Sequence, residues 1–294
     1  MRFSHVLNVI SEIAGSLAAN IDQWLGPWRA DAPLTWLSDG YAFDAPIVGD
    51  TAIALAEARA RAGLDADINV VPAEGRRKRL LVADMESTIV SCECLDELAA
   101  IAGIRPRIAA ITERAMKGEI AFEGALRERV GLLKGLPLGA LERVWRERVR
   151  LNPGARALVA TMKAHGAHTL LVSGGFTFFT SRVAEAAGFE ACQSNVLLDD
   201  GSVLTGKVGE PILGREAKLA ALERSLAEFD LDASEALAIG DGANDLDMIR
   251  RAGLGVAYHA KPVVAAAAGA GIAHGDLTAL LYLQGYRDDE IVGI

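Results

Sequence analysis

The sequence predicts an α/β protein with a Rossmann-like parallel sheet, a helical cap inserted into it and a small α+β domain before it. From residue 79 onward, short apolar runs alternate with helical patterns, which is typical of a parallel sheet covered by helices. Residues 104 to about 150 are helical throughout, and residues 1–76 hold three of the four tryptophans without that alternation. We therefore expect two domains, residues 1–76 and 77–294, with the cap at about 104–150.

In the first domain, residues 52–62 predict a helix and residues 67–72 predict a short strand. The first residues are interpreted as an amphipathic segment, because polar side chains interrupt a signal-peptide pattern. The sequence PAEG at 72–75, followed by the basic run at 76–79, predicts a linker. No catalytic pattern stands out in this domain.

In the second domain, four strand–helix pairs are predicted, and each strand ends at small or polar residues. The pairs are 80–83 with 93–102, 169–172 with 176–187, 236–239 with 245–252, and 254–257 with 263–268. Residues 195–208 predict a β-hairpin whose turn is DDG at 199–201.

Composition excludes several classes of function. The chain has 294 residues, of which 51% are apolar, and its net charge of −9 argues against nucleic-acid and anionic-membrane partners. No stretch approaches the ~20 apolar residues of a membrane span. Three cysteines, Cys92, Cys94 and Cys192, are expected to be reduced thiols without zinc-ligand spacing, so we expect a cytoplasmic protein.

The predicted strands end in chemically informative residues. These are DMEST at 84–88, SGG at 173–175 and GDGAND at 240–245, with Lys218 on a helix between the last two. Each alone is ordinary, as a tight turn, a helix cap or a solvated lysine. Together they converge on one edge of a parallel sheet, where acids that repel one another require a cation. Mg²⁺ with a lysine, a hydroxyl and backbone N–H groups makes a phosphate site.

These motifs resemble those of the haloacid dehalogenase superfamily. DMEST resembles its first motif, Asp-x-Asp-x-Thr/Ser, Ser173 its second, Lys218 its third and GDGAND its fourth. The segments ECLDELA at 93–99 and VSGGF at 172–176 are similar to those of the phosphoserine phosphatase family. The resemblance runs from about residue 79 to the end. Some bacterial members carry a further N-terminal domain of amino-acid-binding type, which is a hypothesis for residues 1–76.

The resemblance implies catalytic and metal-binding roles. Asp84 attacks phosphorus and becomes an aspartyl-phosphate, while Glu86 acts as general acid and then general base. Mg²⁺ is held by Asp84, by Asp241 and by the main-chain carbonyl of Glu86. Glu86 departs from the second Asp of the family motif, so its extra methylene puts the position of the acid in question.

The resemblance also implies how phosphate is bound. Lys218, Ser173 and the N–H of Gly174 bind the phosphate oxygens. Asn244 contacts the phosphate or a metal-bound water, and Asp245 orients Lys218 or such a water.

Substrate specificity is assigned to two further charges. By resemblance, Glu93 binds the ammonium and Arg129 binds the carboxylate of phosphoserine. Charge alone does not distinguish Arg129 from Arg127, and an acid in the first turn of a helix is common. Met116 and Phe122 are expected to line the apolar part of the pocket, with ordinary core packing as the alternative.

The expected function is hydrolysis of O-phospho-L-serine to L-serine and phosphate, which the resemblance places last in serine biosynthesis. Three alternatives stay open: a phosphatase for another small phosphomonoester, a phosphotransferase, and a weakly active amino-acid sensor. The sequence leaves a homodimer open. His259 is expected to have a structural role in a loop.

Overall fold

The computed structural model describes residues 3–11, 30–62 and 66–293, without the side chains of residues 57–62 and of Met116. It contains an antiparallel and a parallel sheet, which confirms the predicted fold class. None of the described helices is both long and apolar enough to cross a membrane.

The strands follow one another as β1 His5–Ser11, β2 Thr35–Ser38, β3 Ala42–Pro46, β4 Ala66–Pro72, β5 Leu80–Asp84, β6 His168–Phe176, β7 Ala191–Asn195, β8 Leu197–Asp199, β9 Leu204–Val208, β10 Ala236–Gly240, β11 Leu254–Tyr258 and β12 Ala270–Ile272. The four N-terminal strands form an antiparallel sheet in the order β2-β3-β1-β4. The parallel sheet has the order β12-β11-β10-β5-β6-β7, and β8 and β9 form the predicted hairpin.

The described helices are α1 Thr51–Ala62, α2 Cys94–Ile101, α3 Arg105–Met116, α4 Phe122–Gly131, α5 Gly139–Glu147, α6 Ala155–Ala164, α7 Thr177–Ala187, α8 Arg215–Glu228, α9 Leu246–Arg251, α10 Pro262–Ala265 and α11 Ala279–Leu283. Helices α3 to α5 confirm the helical cap. Short 3₁₀ turns add Ala233–Glu235, Ala243–Asp245 and Asp288–Glu290.

Several sequence predictions need correction. Residues 5–11 form a strand rather than an amphipathic segment, because both faces of β1 are covered. Val6 and Ile10 join the large core of the parallel sheet, whereas Leu7 and Val9 join the smaller N-terminal core. Strand β6 runs four residues past the predicted end at Val172, with an irregular register there, and the predicted helix 263–268 stops at Ala265.

The centre of the parallel sheet is apolar on both faces. Along β5, Leu81 and Ala83 face the core shared with the cap, while Leu80 and Val82 face the core under α8. This alternation follows from the two-residue period of a strand. The strand therefore delivers Asp84, its last residue, to the carboxyl edge of the sheet at a fixed position.

The cap is joined to the sheet by two chain segments that lie side by side. Val90 and Leu151 form an isolated antiparallel bridge between them, and the N–H of Ser91 donates to the carbonyl of Arg150 at 3.3 Å. Helix α4 also packs on β9, where Gly206 has a φ of +77° and a side chain would meet Lys134. These contacts place the start of α4 over the carboxyl edge of the sheet.

Candidate active site

Three carboxylates meet at the carboxyl edge of the parallel sheet. Asp84, Asp241 and Asp245 each offer an oxygen within 4.8 Å of the other two. The ammonium of Lys218 lies among them, with its Nζ 2.7 Å from Asp84 Oδ1 and 2.5 Å from Asp245 Oδ1. Lys218, Asp84 and Asp245 are all buried. The convergence expected from the strand ends is therefore present.

The local backbone leaves room for this grouping of side chains. A side chain at Gly240, the last residue of β10, would stand 2.4 Å from the Asp245 carboxyl group. The N–H of Gly242 donates to Asp245 Oδ2 at 3.0 Å, which fixes that carboxylate beneath the turn. Glycine at 240 therefore lets Asp245 fold back under the strand end and reach Lys218.

The close approach of these acids and the lysine shifts their pKa values. Burial, and then Asp245, raise the pKa of Asp84 well above its ordinary value, although Lys218 opposes the shift. Burial and Asp245 also raise the pKa of Asp241 to about 6. Burial acts to lower the pKa of Lys218, but Asp84 and Asp245 outweigh it and raise that pKa. Two of the three acids, Asp84 and Asp245, thus share the buried ammonium of Lys218.

The cluster fits a bound metal ion. Its donors are carboxylate oxygens, which hard divalent cations prefer. A cation among Asp84, Asp241 and Asp245 would favour their ionised forms and remove the repulsion that raises the pKa of Asp84 and that of Asp241.

Glu86 is held beside the cluster by a helix start. Its Oε1 accepts the N–H of Cys94, the first residue of α2, at 2.7 Å. On the other side, a Cβ at Gly175 would lie 2.9 Å from Glu86 Oε2, so glycine leaves the room that this longer acid occupies. Burial, and then the negative charge of Glu93, raise the pKa of Glu86 to about 7. A carboxyl group in this state can both give and take a proton near neutral pH.

The end of β6 lies against these acids. Ser173 is buried, and its Oγ accepts the N–H of Gly175 at 2.9 Å, so its own O–H remains a donor. Asn195 donates to the carbonyl of Gly174 at 2.8 Å and accepts the N–H of Leu213 at 2.7 Å. Asn195 therefore ties the Ser173 turn to the loop before α8. The sequence interpretation missed it, because an asparagine in a predicted hairpin gives no such signal.

Phe122 closes the site from the cap. Positions for a Cβ at Gly174 and Gly214 lie 3.7 Å and 3.3 Å from its ring, so the ring covers both glycines. The ring is 37% exposed, which is unusual for an ordinary core residue. The side chain of Met116 lies outside the part of the chain that the structure describes.

The proposed specificity residues lie around Glu86. Ser87 has a left-handed backbone (φ 55°), and its hydroxyl donates to Glu93 Oε1 at 2.8 Å. Arg129 is half-buried, and burial lowers its pKa while Asp96, Glu86 and Glu93 act in the opposite direction. Its guanidinium thus faces an acidic surrounding that includes the candidate general acid.

Arg127, on the same helix as Arg129, has a different partner. The guanidinium of Arg127 is exposed and pairs with Glu210 at 2.6 Å. The two arginines therefore differ in surroundings: Arg129 donates through Nε to the carbonyl of Ala125 at 3.3 Å. Burial lowers its pKa, and the charges of Asp96, Glu86 and Glu93 act to raise that pKa.

The remaining residues take peripheral positions. Asn244 is exposed, and its Oδ1 stands where a side chain at Gly242 would be. His259 has a φ of 43°, and its Nε2 lies 2.9 Å from the carbonyl oxygen of Gly275, which agrees with a structural role. The N–H of Lys261 donates to the carbonyl of Asp241 at 3.1 Å, a contact that the sequence did not reveal.

Comparisons with known proteins agree with this geometry. The haloacid dehalogenase-like hydrolase family matches residues 81–250. A phosphoserine phosphatase of Polaromonas sp. is 46% identical over 210 residues, which cover 70% of this chain and 89% of that protein.

Solved structures give the same result. The unliganded structure of a probable phosphoserine phosphatase from Vibrio cholerae is 32% identical, covers 95% of this chain and 86% of its own, and has a TM-score of 0.80. A substrate-bound phosphoserine phosphatase complex is 35% identical, covers 70% of this chain and 97% of its own, and has a TM-score of 0.64.

Proposed function

Because the chain belongs to the haloacid dehalogenase-like hydrolase family, we propose that it hydrolyses O-phospho-L-serine to L-serine and phosphate. The observation that carries the proposal is the buried cluster in which Lys218 contacts both Asp84 and Asp245. Beside it stands Glu86, whose pKa is raised to about 7. This pairing of a nucleophile with a proton donor suits hydrolysis of a phosphomonoester.

In the first half of the reaction, a carboxylate oxygen of Asp84 attacks phosphorus. The bond between phosphorus and the serine oxygen breaks, and the proton of Glu86 passes to that oxygen. In the second half, Glu86 takes a proton from the attacking water. The acyl-phosphate bond then breaks, Asp84 is released and Glu86 is protonated again.

The phosphate oxygens are assigned to three groups at the strand ends. Lys218 supplies a buried positive charge, and Ser173 supplies its O–H. The N–H of Gly174 is the third donor, and Asn244 lies at the rim, where it would reach the phosphate or its solvent. Asp245 orients Lys218 through their 2.5 Å contact.

We assign Mg²⁺ to the carboxylate cluster. Asp84, Asp241 and the main-chain carbonyl of Glu86 would hold it, and when bound it supplies positive charge against the phosphoryl oxygens.

Recognition of the serine part is assigned to the cap side. Arg129 would bind the carboxylate and Glu93 the ammonium, since both interact electrostatically with Glu86, which serves the departing oxygen. Phe122, with Met116 as a further candidate, would cover the apolar part of the substrate.

We also propose a division of the chain into two domains. We divide it into an N-terminal domain of residues 1–76, of amino-acid-binding type, and a phosphatase domain of residues 77–294. The protein would act in the cytoplasm, without nucleic-acid partners, and a homodimer is compatible with this.

A steady-state assay of phosphate release tests the substrate. We expect kcat/KM for O-phospho-L-serine with Mg²⁺ to exceed that for glucose 6-phosphate by about 10²-fold, because the sugar has no group for Arg129 or Glu93. Equal values would contradict the proposed substrate, and phosphohomoserine formed with added homoserine would indicate a phosphotransferase. Chelation by EDTA should abolish turnover, and Mg²⁺ should restore it.

A further inference from the structure

The cap and the helices that cover the sheet also meet at a cleft of about 520 Å³ that shares no lining residue with the candidate active site. Trp145 of α5 contributes the cap side, whereas Ala155 at the start of α6 and Thr278 contribute the other side. The connecting segment, residues 149–152, lies between the two. A molecule bound here would therefore contact both bodies where they are joined.

Two arginines, Arg150 and Arg156, line the cleft. Arg150 donates to the carbonyls of Val149 at 2.7 Å and of Arg146 at 3.0 Å, and Arg156 donates to that of Ala186 at 2.9 Å. Neither guanidinium is paired with a carboxylate among the residues that the structure describes. Each keeps further N–H donors, since a guanidinium has five.

Several arginines of the cap and of the helices around it are already paired with acids. Arg127, Arg143, Arg182 and Arg215 each form an ion pair with a glutamate or aspartate. Two arginines held by carbonyl oxygens on one cleft are thus prepared to bind an anion.

The start of α6 adds partial positive charge to the cleft. Gly154 precedes the helix with a φ of 78°, and the first turn carries no acidic residue. The N-terminus of a ten-residue helix contributes partial positive charge. Asp276 also lines the cleft, lies beside Gly154, and accepts the N–H of Thr278 at 2.7 Å through Oδ1.

Apolar side chains also line the cleft. They include Trp145, Val149, Leu151, Ala155 and Ala157, beside the polar Asn152 and Thr278. We propose that this cleft binds a small carboxylate with an apolar body, whose carboxylate pairs with Arg150 and Arg156 and whose body packs on Trp145. Asp276 offers a further contact to an amino group, which an amino acid has and a simple aryl acid lacks.

The cleft lies directly behind the segment that follows Asp84. Asn152 donates through Nδ2 to the carbonyl of Thr88 at 2.7 Å and through its backbone N–H to that of Ile89 at 2.8 Å. A ligand on Arg150 and Arg156 thus lies in a cleft that is also lined by Asn152, which is hydrogen-bonded to the segment leaving the DMEST motif.

Binding can be measured without turnover, so its outcome is independent of the proposed reaction. The protein is labelled with 5-fluorotryptophan, and Trp145→Phe assigns the ¹⁹F signal of Trp145. Benzoate should shift this signal with a dissociation constant on the order of 1 mM, whereas benzamide, which is neutral and of the same shape, should not. The signal of Trp36, which packs on Phe43 in the antiparallel sheet, should stay constant.

L-phenylalanine is the second probe. Tighter binding than benzoate would identify an amino acid as the class of ligand, and weaker binding would identify a simple carboxylate.

Arg156→Ala should weaken benzoate binding by about fivefold, because one exposed charged partner is lost. Arg143→Ala is the matched control, since Arg143 lies on α5 and pairs with Glu147 outside the cleft, and it should not change binding. The proposal is overturned if no carboxylate shifts the Trp145 signal at about ten times the expected constant, if benzamide binds as well as benzoate, or if Arg156→Ala binds normally.

Discussion

The two sheets treat their buried charges differently. Along the antiparallel sheet, each buried acid is satisfied by partners of its own. Asp67 accepts the N–H groups of Ala273 at 2.6 Å and Gly275 at 2.7 Å, and Asp44 pairs with Arg76. At the edge of the parallel sheet, Asp84 and Asp245 share the ammonium of Lys218, and Asp241 lies close to both acids.

This difference in hydrogen-bond and charge partners distinguishes acids that stabilise the fold from acids that serve the candidate active site. A buried acid with several donors is stabilised as an anion and holds two segments together. Asp84, which is buried, and Asp241, which is half-buried, have raised pKa values, first because of burial and then because of Asp245, and an added cation would stabilise their charged forms. We therefore expect substitutions in the first group to affect stability and those in the second to affect turnover.

The largest loss of activity is expected for Asp84→Asn. Turnover should fall by at least about 10³-fold, because the amide is a poor nucleophile towards phosphorus. The midpoint of thermal unfolding should not fall, since one of three repelling carboxylates is removed. Asp247→Asn, which affects an acid paired with Arg215 at the surface, is the control. A variant that keeps its turnover or is clearly destabilised would contradict this assignment.

The next largest effect is expected at Glu86. Glu86→Gln should lose about 10²- to 10⁴-fold in kcat, because the amide can still accept the N–H of Cys94 but has no proton to transfer. Glu86→Asp should remain active or improve, since it restores the acid of the family motif. Steady-state kinetics with O-phospho-L-serine measure both, and an active Glu86→Gln would show that another group is the acid.

Arg129→Ala should have a smaller effect that depends on the substrate. The KM for O-phospho-L-serine should rise by about 10- to 100-fold, because a charge-assisted contact to the carboxylate is lost. O-phosphoethanolamine lacks that carboxylate, so its kinetic constants should hardly change. Arg127→Ala, which breaks only the exposed pair with Glu210, should leave both substrates unaffected. Equal losses on the two substrates would exclude the proposed role.

The smallest effect on activity is expected for Asp67→Asn. The free energy of unfolding should fall by about 1–3 kcal/mol, because the amide accepts fewer hydrogen bonds from the loop after β12. The kcat should stay close to that of the parent. Asp50→Asn is the control, since Asp50 caps α1 and asparagine caps equally well. Urea unfolding followed by fluorescence measures both, and an unchanged stability would refute the structural role.

The sequence predicted well that the acids at the strand ends converge, because its signals are local. Buried strands that end in an acid or a glycine are visible as apolar runs, and parallel topology then brings Asp84 and Asp241 to one edge. The grouping of Lys218 with Asp245 follows from the same geometry.

The features that the sequence did not predict depend on contacts between segments that are distant in the sequence. Strand β1 holds a buried asparagine, Asn8, which donates to Asp44 and to the carbonyl of Tyr282, so its sequence does not read as a buried strand. Asn195 and Lys261 support the site through backbone groups, which no side-chain pattern reveals. The accommodation of Glu86 by Gly175 likewise depends on the pairing of β5 with β6.

The most direct measurement is a rapid acid quench of the enzyme with ³²P-labelled O-phospho-L-serine and Mg²⁺. Peptide mapping should find an acid-stable, hydroxylamine-labile label on Asp84 in the parent. Glu86→Gln should form the same label, but more slowly than the parent. Asp84→Asn should carry no label. Label on another residue, or turnover of labelled substrate without any labelled protein, would contradict the assignment of Asp84 as the phosphoryl acceptor.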